Sequence, residues 1–192
     1  MNIVNIGYAS TNYYALDIKN GKLLVDCGWP GTLPQFIRVL QRKDIALSEI
    51  KYLLVTHFHP DHAGLVQELK NQGTKFILPD CQVSSVSSFA EYFKEKPLPY
   101  VVIKQNDNIP LKLEDSRRFL AGLGLRGELL HTPGHSDDSV TLILDEGYAF
   151  TGDLHPAFMS SEDPKTRASW VKIQQFKIRR IFPGHGDSLE NG

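Results

Sequence analysis

The sequence predicts a mixed α/β fold built as two sheets with helices outside them, and three observations carry that prediction. Strand patterns open and close the chain, helical apolar faces interrupt the strand series, and the chemically reactive residues fall in Gly/Pro-rich turns at strand ends. The opening segment alternates apolar and polar residues through Ile3, Ile6 and Tyr8. Tyr13 to Ile18 and Lys22 to Asp26 flank Asn20-Gly21, a hairpin turn signal, so the chain begins with antiparallel strands. Thr32 to Arg42 carries Phe36, Ile37, Val39 and Leu40 at helical spacing, with Thr32 as cap and Pro34 in the first turn. Lys51 to Thr56 is a short apolar run, hence a buried strand. His57 to His62 is then a loop, and Ala63 to Gln72 a helix with Leu65, Val66 and Leu69 on one face and Gly73 beyond it.

Lys75 to Leu78 reads as a strand, and Cys81 to Phe93 as a helix with Val83, Val86, Phe89, Ala90 and Phe93 at helical spacing. Pro97 and Pro99 break the chain before a strand at Tyr100 to Ile103. Further strands are expected at Glu128 to His131, Val140 to Leu144 and Tyr148 to Gly152, the last two joined by a turn at Asp145-Glu146-Gly147. A helix from Lys165 to Gln175 leads into a final strand, Ile178 to Phe182. No linker-like shift, repeat or charge block divides the chain, so residues 1–192 are expected to form one domain.

Composition narrows the function classes. With 192 residues the chain buries roughly 70% of its unfolded surface, so it needs no metal or disulfide to hold a core, and a metal site would have another reason. Twenty-one basic residues against 22 acidic ones leave a net charge of -1, which gives no bulk attraction to nucleic acid or acidic lipid. The first ten residues lack the basic and apolar regions of an export signal, and no window approaches the ~18 apolar residues of a membrane span. The reading is a soluble cytoplasmic protein with a small-molecule substrate and no nucleic-acid or membrane partner. Cys27 and Cys81 are expected to be reduced and structural.

Three of the seven histidines fall within His57-Phe58-His59-Pro60-Asp61-His62, at the carboxyl end of an apolar strand. Buried imidazole and carboxylate cost free energy unless paired or coordinated, so four such groups in six residues indicate a metal site. Three further residues recur in turns at strand ends: His135 in Thr-Pro-Gly-His, Asp153 in Thr-Gly-Asp and His185 in Pro-Gly-His-Gly.

From Asp26 in Val-Asp-Cys-Gly to His185 the chain resembles the metallo-β-lactamase superfamily of metal-dependent hydrolases, in the branch typified by glyoxalase II. The resemblance implies a four-layer αββα sandwich with two metals at one edge of the sheets. It implies that His57, His59 and His135 hold one metal, that Asp61, His62 and His185 hold the second, and that Asp153 bridges them. Imidazole and carboxylate suit borderline divalent ions, so zinc is expected first, with iron or manganese compatible. Asp26 matches a position that supports the metal-binding loop through hydrogen bonds. The implied chemistry is hydrolysis: a hydroxide held between two cations attacks a thioester, lactone, other ester or phosphoester, and Asp61 orients it. Trp29, His155 and Phe158, with Tyr8 and Asn12, are substrate-facing candidates by proximity to the ligands. His131 reads as a structural residue, and the Asp137-Asp138 pair as site support or a turn cap.

Departures from named members limit the substrate. With few residues after His185, glyoxalase II's helical glutathione-binding region is not expected, and common exported β-lactamases carry Cys at the Asp153 position. Lactone-cleaving relatives place Tyr where this chain has Pro156, and flavin-linked diiron relatives place Glu at His59. A mononuclear iron persulfide dioxygenase, which keeps several of these residues without ligating through them, is the alternative from a second enzyme class. A purely structural metal module is the third reading, set back by an open, loop-borne donor set.

Overall fold

The computed structural model describes residues 2–159 and 163–190. Two sheets face each other. The first has the order β1-β2-β3-β4-β5-β6, formed by Ile3–Asn5, Tyr14–Ile18, Gly21–Val25, Ile50–Leu54, Lys75–Pro79 and Ile109–Leu111. The second has the order β11-β10-β9-β8-β7, formed by Gly127–His131 (β7), Val140–Leu144 (β8), Tyr148–Gly152 (β9), Arg180–Pro183 (β10) and Leu189–Glu190 (β11). β1, β2 and β3 run antiparallel, as Asn20-Gly21 predicts, and Gly21 takes a φ of 114° in that hairpin. From β3 onward the first sheet is parallel, because each connection passes through a helix.

Side-chain alternation builds the layers. Leu23 and Val25 face the space between the sheets, where they meet Leu142, Leu144 and Phe150, while Leu24 between them faces outward. On that outer side, Leu24, Leu53 and Phe76 pack against α1 (Leu33–Arg42), α3 (Val66–Asn71) and α4 (Val83–Phe93). On the far side of the second sheet, Ile143 and Ala149 pack against Trp170 and Ile173 of α6 (Pro164–Ile173). The result is the four-layer helix, sheet, sheet, helix arrangement. Among the described residues no helix is long and apolar enough to cross a membrane.

Several local expectations change. Thr32 occupies the position before α1 but does not cap it, because its hydroxyl donates to the Trp29 carbonyl at 2.7 Å. His57 to His62 is not all loop: Pro60 starts a short helix, α2 (Pro60–Ala63), which carries Asp61 and His62. The helix expected from Ala63 is interrupted at Gly64 and Leu65, where the chain presses so close to Gly28 and Pro30 that only glycine fits at 64. Tyr100 to Ile103 is not a strand. Tyr100 stacks on Phe93 at 4.3 Å and Ile103 joins the helix-side core, so these two cover α4 instead of pairing in a sheet, while Val101 and Val102 between them are exposed. β6, β11 and the helix α5 (Ser116–Leu123) have no counterpart in the sequence reading; the strands hold three and two residues, too few for a period to show. The strand expected from Ile178 begins at Arg180, and α6 begins one residue before Lys165, where Asp163 accepts bonds from the backbone N–H groups of Lys165 and Thr166 at 3.1 and 2.9 Å.

Candidate metal centre

The chemically reactive residues sit beyond the carboxyl ends of strands from both sheets. β3 leads to Asp26, β4 to His57, β7 to the turn holding His135, β9 to Asp153 and β10 to His185. The two sheets are tied together here: Val140 N–H donates to the Thr56 carbonyl at 2.8 Å, and Asn12 N–H, between β1 and β2, donates to the Gly184 carbonyl after β10 at 2.7 Å.

Within this edge, donor atoms of His57, His59, His135 and Asp153 gather within 4.8 Å of one another, and those of Asp61, His62 and His185 form a second such group. Asp153 touches both. Its Oδ2 lies 3.9 Å from His57 Nε2 and 3.6 Å from His135 Nε2, and 3.3 Å from His185 Nε2. Its Oδ1 lies 3.2 Å from His62 Nε2. Asp61 Oδ2 is 3.4 Å from His62 Nε2 and 3.3 Å from His185 Nε2, and it accepts a bond from the Thr11 hydroxyl at 2.9 Å.

The outer ring nitrogens fix which atom faces inward. A carbonyl only accepts, so His185 Nδ1 donates to Ser10 O at 2.7 Å and leaves Nε2 to the cluster. His62 Nδ1 donates to Asp26 Oδ2 at 2.9 Å with the same consequence. Thr56 gives its hydroxyl proton to Asp26 Oδ2 at 2.8 Å, so the Thr56 Oγ1 itself accepts from His57 Nδ1 at 3.1 Å and again Nε2 is left inward. Asp26 therefore aims His62 directly and His57 through Thr56. It holds the left-handed conformation, with a φ of 63°, which brings its carboxylate under β4, where the Thr56 N–H also donates to it at 2.7 Å.

Burial and mutual repulsion hold His57 well below the ordinary histidine pKa: desolvation acts first, then the charges His62 and His59 would carry. Burial also disfavours a charge on His62, yet Asp26, Asp153 and Asp61 outweigh it and raise its pKa to about 12. Desolvation works against the Asp153 carboxylate as well, and His62 overcomes it to place that pKa below the usual range.

The donor set fits divalent cations. His57 Nε2, His62 Nε2 and Asp153 Oδ1 are buried without a well-formed hydrogen bond, and buried polar atoms normally have one. A cation there would displace the second proton of His62, and the lone pair so freed would converge with those of neutral imidazoles and carboxylates, which is the chemistry of zinc-type ligation.

The other predicted residues play different parts. His155 lines a cavity of about 260 Å³ together with His135, Asp153 and His185, and its ring lies 5.8 Å from that of His135. Asn12 holds the His185 turn, donating to Pro183 O at 3.0 Å and Gly186 O at 2.7 Å. Asp138 Oδ2 accepts from Phe58 N–H at 2.8 Å inside the His57 loop, whereas Asp137 is exposed and pairs with Lys165 at 2.6 Å. Tyr8 bonds to Thr32, and Trp29, 37% exposed, sits on the turn before α1; neither lines that cavity. Phe158 is 81% exposed and also lies outside it. His131 donates from Nε2 to Asp137 O at 2.7 Å, in keeping with a structural role. Both cysteines are free, and burial pushes the Cys27 thiol well up.

Thr11, Ser10, Thr56 and Gln82 have no counterpart in the sequence reading. Gln82 donates to the carbonyls of Val55, Thr56 and Asp138 at 3.2, 3.2 and 3.1 Å, fastening the His57 and His135 loops together. Only Thr56, adjacent to His57, offered a positional clue. Gly184 is a further requirement, since a methyl there would collide with Asp153 Oδ1 and come within 2.7 Å of His62 Cε1. Gly184→Ala is expected to weaken metal affinity about 10- to 100-fold in a chelator-competition titration, with unchanged far-UV circular dichroism.

The model of the Metallo-beta-lactamase superfamily matches residues 6–185. The chain is 33% identical over 187 residues to a beta-lactamase-like protein 2 homolog of Drosophila melanogaster, covering 94% of this chain and 60% of that protein. It is 29% identical to the thioesterase pkgB of Emericella nidulans, over 94% of this chain and 47% of that one. A probable metallo-hydrolase of Methanocaldococcus jannaschii is 26% identical, over 94% of this chain and 89% of its own length. The chain thus spans about half to three fifths of the first two relatives. A solved metallo-beta-lactamase of Cronobacter sakazakii superposes with a TM-score of 0.71 at 20% identity, covering 96% of this chain and 77% of that one, and shares the fold.

Proposed function

The chain belongs to the metallo-beta-lactamase superfamily, and on that footing we propose that it is a binuclear metal-dependent hydrolase cleaving a thioester, lactone or other ester, with phosphoesters as a wider class. The observation that carries this reading is Asp153, whose two oxygens lie within 3.9 Å of histidines from both donor groups.

In this mechanism His57, His59 and His135 would hold one cation and Asp61, His62 and His185 the other, with the Asp153 carboxylate within reach of both donor groups. When bound, two divalent cations, zinc first and iron or manganese as alternatives, supply an acidified water and positive charge for the developing oxyanion. Thr11 fixes the Asp61 carboxylate, whose second oxygen orients the attacking water. Asp26 holds the inward tautomer of His62 and, through Thr56, of His57. His155, on the cavity wall, faces the substrate. We assign a small-molecule substrate, no nucleic-acid or membrane partner, and a cytoplasmic setting. The sequence similarity to the fungal thioesterase favours the thioester among the ester classes.

The test is metal content per chain by plasma mass spectrometry, paired with thioesterase and esterase turnover before and after chelation. About two equivalents of zinc or manganese and turnover that returns with added metal are expected. One equivalent of iron, no hydrolysis and oxygen uptake with glutathione persulfide would replace this reading with the iron dioxygenase.

A further inference from the structure

The 260 Å³ cavity at the metal centre shares Leu154, Pro156 and Pro183 with a second cavity of about 350 Å³ between the second sheet and α6. That second cavity is walled by hydrocarbon: Leu154, Trp170, Ile173, Phe176 and Ile181 surround it. The indole N–H of Trp170 donates to the His155 carbonyl at 2.7 Å, so its polar handle is spent on the wall of the metal cavity and its ring is left to the apolar side. Polar groups of Gln174, Lys177 and Glu190 stand among its lining residues. One stretch of chain joins the two spaces, since Asp153 is followed by Leu154 and Pro156 and then by the 3-10 turn Ala157–Met159. Phe158 and Met159 on that turn are 81% and 59% exposed, apolar surface that a ligand would cover.

From this shared wall we infer that the 350 Å³ cavity is the binding site for the acyl chain of the substrate, so that the enzyme takes esters or thioesters of medium-length apolar acids rather than acetyl or polar acyl groups. This inference rests on the ester-cleavage reading above. At roughly 30 Å³ per group, the space holds on the order of ten non-hydrogen atoms, which suits an octanoyl chain. With the carbonyl between Asp153 and His135, the chain passes Leu154 and Pro156 and ends against Trp170 and Ile173. Ala157 is one of the lining residues, and a larger side chain there would take up part of the space.

The experiment measures kcat/KM of the metal-loaded protein on N-acetylcysteamine thioesters from acetyl to octanoyl. Each methylene is expected to raise it about two- to fourfold until the cavity is filled. Ala157→Phe is expected to lower the octanoyl-to-acetyl ratio at least tenfold, with the metal content per chain retained. A second arm needs no turnover: in Trp29→Phe protein, where Trp170 is the one remaining tryptophan, octanoate added to the chelated protein should change the fluorescence saturably, and Ala157→Phe should weaken that binding. Cleavage without chain-length dependence, together with no octanoate binding, overturns the acyl site and leaves the hydrolase standing. Saturable octanoate binding by a protein that cleaves no ester or thioester keeps the apolar site and removes the hydrolase reading. No octanoate binding, with a dimer that Phe158→Asp dissociates, overturns the inference and makes this face a contact between copies.

Discussion

Asp153→Ala protein is expected to lose at least about 10³-fold in kcat/KM on any ester it cleaves, and to retain at most one equivalent of metal, while its far-UV spectrum stays unchanged. Asp153 is the group that meets both halves of the donor set, through Oδ2 with His57, His135 and His185 and through Oδ1 with His62. Without it, two cations would face each other across a gap with no anion to offset their repulsion, so the second is released first. The fold survives because Asp153 lies beyond the end of β9, outside the apolar layers formed by Ala149 and Phe150. His59→Ala should behave likewise, removing a donor from the first group alone. Full turnover in either variant would remove the assignment of the centre.

Asp26→Ala is the second substitution expected to have a large effect, and it acts without any direct place among the donor atoms. The carboxylate accepts from Thr56 N–H, the Thr56 hydroxyl and His62 Nδ1, all buried. Removing it leaves three donors without an acceptor, at about 1–3 kcal/mol each, partly relieved once His57 switches tautomer and its Nδ1 accepts from the Thr56 hydroxyl. The predicted outcome is a loss of about 3 kcal/mol in urea unfolding of the metal-free protein and 10- to 100-fold weaker metal affinity. Asp26→Asn separates the two effects: the amide oxygen can still accept, so stability should recover in part. Its missing charge should leave His62 less basic, since Asp26 is the strongest of the groups that raise it. Equal metal affinity in all three proteins would show that the histidines keep their orientation without help.

Much of this centre was legible in the sequence because its donors are chemically conspicuous. Four of the seven occur within six residues, and the other three stand in Gly/Pro turns after apolar runs, where strands deliver side chains to an edge. The layers were legible for a related reason: Leu23-Leu24-Val25 and Leu142-Ile143-Leu144 are apolar on both faces, as strands covered on both sides must be. What escaped was whatever depends on meeting across the fold. Thr11, Ser10 and Gln82 are ordinary polar residues whose value comes from partners 50, 175 and 26 positions away, and no local pattern encodes that. The helix at Ser116–Leu123 is a different omission, since its apolar face, with Phe119 and Leu120, was present to be read. Tyr100 to Ile103 shows how an apolar run belongs as readily to a cover over helices as to a sheet.

The division of the donor set between the two sheets has a further consequence for how the molecule comes together. His57, His59, Asp61 and His62 follow β4 of one sheet, whereas His135, Asp153 and His185 follow β7, β9 and β10 of the other. A cation held there is a rivet through the seam of the sandwich, so its binding free energy is also free energy of docking one half of the chain onto the other. During folding the 57–62 segment can present donors as soon as its own loop forms, but the complete site exists only after the most distant pairings have closed. Occupancy by metal therefore reports on the last stage of assembly, and a chain whose halves had failed to meet would be distinguished by its weak grip on the ion.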